Sequence, residues 1–268
     1  MFRSRNRKPL RGPSVIGVTF LFLEAAVAQI NPAEQARLYC GTDNTGFSGE
    51  NGQIAVVPVN GAAVSGKIVI FDLSFPLNGV TNLRSGLLAG QPESTSSVVG
   101  DTLRQLALTA INEPPELTLT IPPGPNSFSA ACCDEQMVVA PDGHWYHAHY
   151  PDVIQRVVKD PNGESEVTAT YEQADIVGMA TDGVNIWISN WDTRQVGTWS
   201  PATNIFTPVF TTPDGAGALA WDVANGVLWV GMLGGSVIPY NATGQQLGPG
   251  FMPFGVISNT IDGLAFVP

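Results

Sequence analysis

Short apolar runs alternate with turn residues through the second half of the chain. Residues 186–190, Ile-Trp-Ile-Ser-Asn, switch between apolar and polar side chains as a half-buried strand does. The arrangement recurs in units spanning 136–177, 178–216 and 217–261, and a fourth unit opens with Asp262-Gly263-Leu264-Ala265-Phe266-Val267. Tyr146, Trp187 and Trp229 align at spacings of 41 and 42, and Ile154, Val196 and Val237 at 42 and 41. Each unit runs an apolar strand into a turn carrying Asp142-Gly143, Asp182-Gly183 or Asn225-Gly226, then a strand bearing the aromatic residue, then two more short strands. Asp, Asn and Gly suit those turns because they tolerate positive φ or bond their own backbone.

A period near 40 residues with several short strands predicts an all-β chain, a β-propeller of four-stranded blades. The aligned aromatics are then expected to pack blade on blade. The first half is less regular, with strands predicted at 66–72 and 117–121, proline joints at 113–115 and 122–125, and a polar loop at 90–100. Residues 29–268, read as one domain, divide by the period into about six blades, with five or seven as alternatives. The closing strand, 262–268, is expected to complete a blade begun by N-terminal strands, removing an open edge.

Composition changes the picture in three ways. Hydrophobic residues are 44% and charged residues 13% of the 268, the reverse of a disordered chain. Arg3, Arg5, Arg7, Lys8 and Arg11 precede the apolar run 15–23 and the small-residue pattern Ala26-Val27-Ala28. That order is a secretory signal peptide covering 1–28, so the mature chain is expected to be secreted or periplasmic. Removing it takes the counts from 12 basic and 23 acidic residues to seven and 22, and the net charge from −11 to −15. Such a surface excludes nucleic acid as a main partner and favours cationic groups. No second apolar run is long enough to span a bilayer. In an oxidising compartment Cys40, Cys132 and Cys133 are expected to form one bridge and leave one thiol, with the pairing open.

The Asp-Gly turns, the Ile-Trp or Leu-Trp strands and the Asp-Pro or Ser-Pro turns resemble the six-bladed superfamily of NHL-repeat proteins, gluconolactonase-like hydrolases and streptogramin B lyase. The resemblance covers residues 136–268 and implies a propeller, with a divalent-metal hydrolase or lyase among the activities on that fold. The whole also looks like PEP-CTERM-type secreted propellers, whose Val-Pro-Glu-Pro motif would begin at Val267-Pro268; the rest of that motif is not in this sequence.

Propeller loops place the candidate chemistry. Ligand-binding candidates are Glu135, Asp175 and Asp262 on loops entering first strands, and His149, Asn190, Trp191 and Asp192 on loops leaving second strands. His149, Asp175 and Asp262 are the metal candidates, for Ca²⁺ or another divalent cation, because carboxylates with an imidazole suit such ions. The bland alternative is an acidic rim of turn-capping Asp and Asn. His147 and His149 lie on one face of a strand about 7 Å apart. Chelation there competes with a packed role for His147, whose repeat counterparts are Ile188 and Val230. No Gly-x-Ser-x-Gly elbow, HExxH pair or phosphate loop is present, and no catalytic residue is assigned. The expected function is a non-catalytic binding module using its acidic loop face toward a protein, glycan or small molecule. The alternatives are a lactonase-like metalloenzyme, or a structural component of an extracellular matrix or surface layer.

Overall fold

The computed structural model describes residues 36–42, 52–72, 80–82, 87–90, 103–107, 116–121, 134–149, 152–159, 165–255 and 260–268. Among them the backbone forms strands and turns and no helix, so no helix there is long and apolar enough to cross a membrane. The expected leader, the proline joints, most of the 90–100 loop, and Cys132 and Cys133 lie outside the described residues.

The first sheet contains β1 (Arg37–Thr42), β2 (Gln53–Asn60), β3 (Ala63–Val64) and β4 (Val69–Asp72). The second contains β5 (Val80–Asn82), β6 (Leu87–Gly90), β7 (Leu103–Ala107) and β8 (Glu116–Ile121). The third runs β9 (Asp134–Val139), β10 (Trp145–His149), β11 (Val153–Lys159) and β12 (Ser165–Glu172). The fourth runs β13 (Ile176–Thr181), β14 (Ile186–Asn190), β15 (Gln195–Ser200) and β16 (Ile205–Thr211). The fifth holds β17 (Ala216–Asp222), β18 (Val227–Met232) and β19 (Val237–Tyr240), and single bridges join Phe251 to Val237 and Gln246 to Tyr240. The last strand, β20 (Gly263–Val267), returns to pair antiparallel with β1, setting Leu264 opposite Cys40.

The described strands therefore make five antiparallel sheets, three of them four-stranded in sequence order, compatible with propeller blades. Six sheets are the first expectation from the period, and five is one of its alternatives. Leading strands of successive sheets touch one another: β9 on β13, β13 on β17, β17 on β20, β20 on β5, and β5 on β9.

Sheet faces pack on sheet faces. Tyr146, Ile154, Ile188 and Trp199 share one cluster between the third and fourth sheets. Trp187, Val230, Trp221 and Tyr240 share the next, between the fourth and fifth. Trp229, Leu38, Ala55 and Phe266 join the fifth sheet to the first. Burying one large apolar side chain contributes about 1.5–3 kcal/mol, so these interfaces supply much of the driving force. The aromatic spacing read from the repeat thus marks inter-sheet contacts: Tyr146, Trp187 and Trp229 are 1%, 3% and 0% exposed.

The turns follow from their residues. Gly143 and Gly183 take φ of 83° and 89°, a region that penalises any Cβ. Ser189, fully buried in β14, accepts the Gly178 N–H and donates to the Ala216 carbonyl, both at 2.9 Å, tying the fourth sheet to the fifth. A side chain at Gly178 would meet that hydroxyl and the Ala218 backbone, so glycine is required by close approach. Cys40 sits fully buried in β1, and burial pushes its thiol pKa strongly up, which disfavours the reactive thiolate.

Candidate functional site

The leading strands have two ends, and the chemistry differs between them. At their N-terminal ends the loops carry acidic residues. Asp175 adopts φ of 58° in the turn before β13, and its carbonyl accepts the Trp191 N–H at 3.0 Å. Asn190 ends β14 and ties two loops together. Its Nδ2 donates to the Ala174 carbonyl at 2.9 Å, and its Oδ1 accepts the Thr193 N–H and Oγ1–H, both at 2.8 Å. These bonds occupy the amide of Asn190 in holding the loop, the turn-capping alternative raised from the sequence.

The same tethering continues along this end. The Asp214 carboxylate accepts the Gly215 and Gly234 N–H groups at 2.8 Å each, and the Leu233 N–H reaches the Gly215 carbonyl at 2.9 Å. Ile261 N–H donates to the Met232 carbonyl at 3.2 Å, and Asp262 N–H to the Gly41 carbonyl at 3.1 Å. Arg194 adds a basic group here, donating to the Pro213 carbonyl at 3.2 Å. Asp192 is exposed, while Asp175, Trp191, Asp214 and Asp262 are half-buried.

Asp175, Asn190 and Trp191 are therefore brought together on one junction, with Asp192 next in the turn, whereas Asp262 stands on the junction with the first sheet. Glu135 lies in β9, and His149 ends β10 opposite Val153; their side chains lie outside the described residues. Among the described residues no three His, Cys, Asp or Glu side chains converge on a metal-sized site. His147, the other half of the expected same-face pair, is fully buried, and the β9–β10 register shifts between His147 and His149.

The centre of the molecule holds a residue that sequence reasoning missed. Gln136, fully buried in β9, reaches three other leading strands. Its Oε1 accepts the N–H groups of Met179 and Leu219 at 3.0 and 2.8 Å. Its Nε2 donates to the carbonyls of Leu219 and Leu264 at 2.6 and 2.5 Å. Edge strands leave such backbone groups unpaired, and a buried unpaired group costs about 1–3 kcal/mol, so one carboxamide resolves four liabilities. A signal existed: the units begin with Gln136, Gly178 and Gly217, a long amide in one repeat where the others have no side chain.

At the opposite, C-terminal ends the turn carboxylates are structural. Asp182 accepts the Trp187 indole N–H at 2.8 Å, the Asn185 side chain at 3.0 Å, and the N–H groups of Val184 and Asn185. Asp142 accepts the Tyr146 hydroxyl at 2.8 Å and the His144 N–H at 2.9 Å. Burial alone pushes both carboxyls up. The bonds from Asn185, Trp187 and Val184 in one case, and from His144 and Tyr146 in the other, outweigh it and hold both below the usual aspartate value.

No family model and no curated protein matches the chain. Solved structures do. Apo AztD from Citrobacter koseri aligns at 14% identity and a TM-score of 0.38, over 80% of this chain and 60% of that one, so the chain spans less than two thirds of that protein. A protein of unknown function from Bacteroides caccae aligns at 11% identity and a TM-score of 0.51, over 87% of this chain and 99% of that one. The second likeness is one of fold.

Proposed function

We propose that the five sheets are the blades of a five-bladed β-propeller, exported by its basic and apolar leader. In this reading it is a non-catalytic module that binds a cationic group of its partner on the acidic loop face. The circuit of touching leading strands supports the propeller, and the pairing of β20 with β1 supplies its closure. The kinship with NHL-repeat and gluconolactonase-like propellers belongs to the same proposal and rests on the repeat motifs.

One observation carries the binding reading. The loops bearing Asp175 and Asp192 are tied to neighbouring backbone by hydrogen bonds, and the Asp214 carboxylate braces the next junction, so the carboxylates of this face stand on a prearranged surface. Rigid loops lose less entropy on binding. Clustered negative charge speeds encounter with cationic partners in a salt-dependent way. Half-buried Trp191, whose backbone N–H bonds the Asp175 carbonyl, adds an aromatic residue to the same junction, and aromatic faces attract cations.

The test is an array of basic, neutral and acidic peptides together with glycans, probed at two salt concentrations. The expected result is salt-sensitive binding of basic members, weakened by Asp192→Asn combined with Asp175→Asn. Binding indifferent to those changes, or binding only of neutral members, overturns the proposal. Thermal melts with EDTA and then Ca²⁺, Mg²⁺, Mn²⁺ or Zn²⁺ distinguish the metalloenzyme alternative. A rise with one ion that disappears in Asp175→Ala or His149→Ala would favour that alternative.

A further inference from the structure

A cavity of about 390 Å³ lies at the C-terminal ends of β9, β13, β17 and β20, away from the acidic loops. Alanine at each of these positions makes the room: Ala140 immediately after β9, Ala180 in β13, Ala220 in β17 and Ala265 in β20. Among the described residues that line it none is ionisable, and Trp221 and Phe266, each 9% exposed, provide aromatic walls. Its volume falls in the range of small-molecule sites.

Among the described lining residues the polar features are backbone groups and the Thr181 hydroxyl, which is engaged within its own turn by the Asn185 carbonyl and the Gly183 N–H. In an antiparallel pair, alternate residues turn their N–H and C=O away from the partner strand. Gln136 bonds the outward groups of Met179 and Leu219, so two residues further along, Thr181 and Trp221 point the same way. The ladder agrees: Asp182 N–H bonds the Asn185 carbonyl, placing Thr181 opposite Ile186 in the non-bonded pair, and Trp221 likewise faces Leu228. In β9 the bond from Ala140 N–H to the His144 carbonyl turns Val139 outward. Val139, Thr181 and Trp221 all line the cavity. The Gln136 carboxamide, about 7 Å away along the strands, shows what such a set of edges accepts: a flat group with a donor beside an acceptor.

We propose that this cavity binds a small neutral molecule carrying a planar amide edge on an apolar body. Its amide repeats toward Val139, Thr181 and Trp221 what Gln136 does one level below. A charged ligand would lose its hydration with no counter-charge among the described lining residues, and a purely apolar one would leave the backbone groups without their water. The site is separate from the acidic loop face and does not depend on what binds there.

The test titrates the full chain with benzamide, benzoate and toluene, following backbone amide and indole resonances by NMR. Benzamide is expected to shift the amides of Val139, Thr181 and Trp221 and to bind at least about tenfold more tightly than either relative, a gap of about 1.4 kcal/mol. Ala220→Leu and, as a second blocking change, Ala180→Met are expected to abolish the shifts while the melting transition stays cooperative. Equal affinity for toluene or benzoate overturns the proposal. So do shifts confined to the acidic loops, or no response to benzamide at about 10 mM, the dissociation constant that its non-hydrogen atoms would give at only about 0.3 kcal/mol each.

Discussion

The fourth and fifth sheets come from adjacent repeats, yet they treat the same aromatic position differently. In the fourth, the Trp187 indole N–H is held by the Asp182 carboxylate of the preceding turn at 2.8 Å. In the fifth, Asp222 is itself fully buried and engages Asn225 instead, through the backbone at 3.1 Å and the side chain at 2.7 Å. Trp229 is 0% exposed, packs edge-on against Phe251 at 6.1 Å, and has no described acceptor at its N–H. What the two repeats share is the apolar bulk between sheets; the polar cap is local and replaceable.

The largest expected effects treat both sheets alike. Gln136→Leu leaves backbone groups of β13, β17 and β20 unpaired at once and is expected to cost about 3 kcal/mol or more. Chemical denaturation checks it, and a loss below about 1 kcal/mol would mean that water replaces the amide without penalty. Trp187→Ala and Trp229→Ala are each expected to cost about 3–5 kcal/mol. An unchanged melting temperature for either would break the assignment of these rings to inter-sheet packing.

Smaller changes should separate the sheets. Trp229→Phe loses no hydrogen bond and is expected to cost under about 1.5 kcal/mol, whereas Trp187→Phe should cost about 1 kcal/mol more by forfeiting the bond to Asp182. Equal losses, measured by urea unfolding, would erase the distinction between the repeats.

The smallest effect is one of pH. Asp182 has a depressed folded pKa, so the stability it adds is present above the ordinary value of about 3.9 and is lost as pH falls through the lower folded value. The melting difference between the unaltered chain and Asp182→Asn is therefore expected to shrink below about pH 4. A constant difference down to pH 2 would mean that the charged form carries none of the benefit.

The turns and aromatics of the repeat were legible because both are short-range. Asp182 and Gly183 define their turn within four residues, and Trp187 follows at the spacing that a strand needs to bring its ring back over that turn. The acidic loops were legible as residues but not as roles. That Asn190 braces Ala174 and Thr193, while Asp192 stays exposed, depends on which loops become neighbours. Gln136 was illegible as a centrepiece, because its partners lie 43, 83 and 128 residues away.

By itself the sequence determined that this chain is built of short strands separated by Asp-Gly and Asn-Gly turns, with one large ring per repeat. Those features are set by local backbone preference and by period, which need no knowledge of distant partners. The tertiary structure alone decided which strand edges converge, so that one carboxamide serves four backbone groups. It also decided where four alanines leave a cavity and which carboxylates are consumed in bracing loops. Hydrogen bonds and voids at a convergence belong to no single segment; they exist only once strands far apart in the chain are brought within a few ångström.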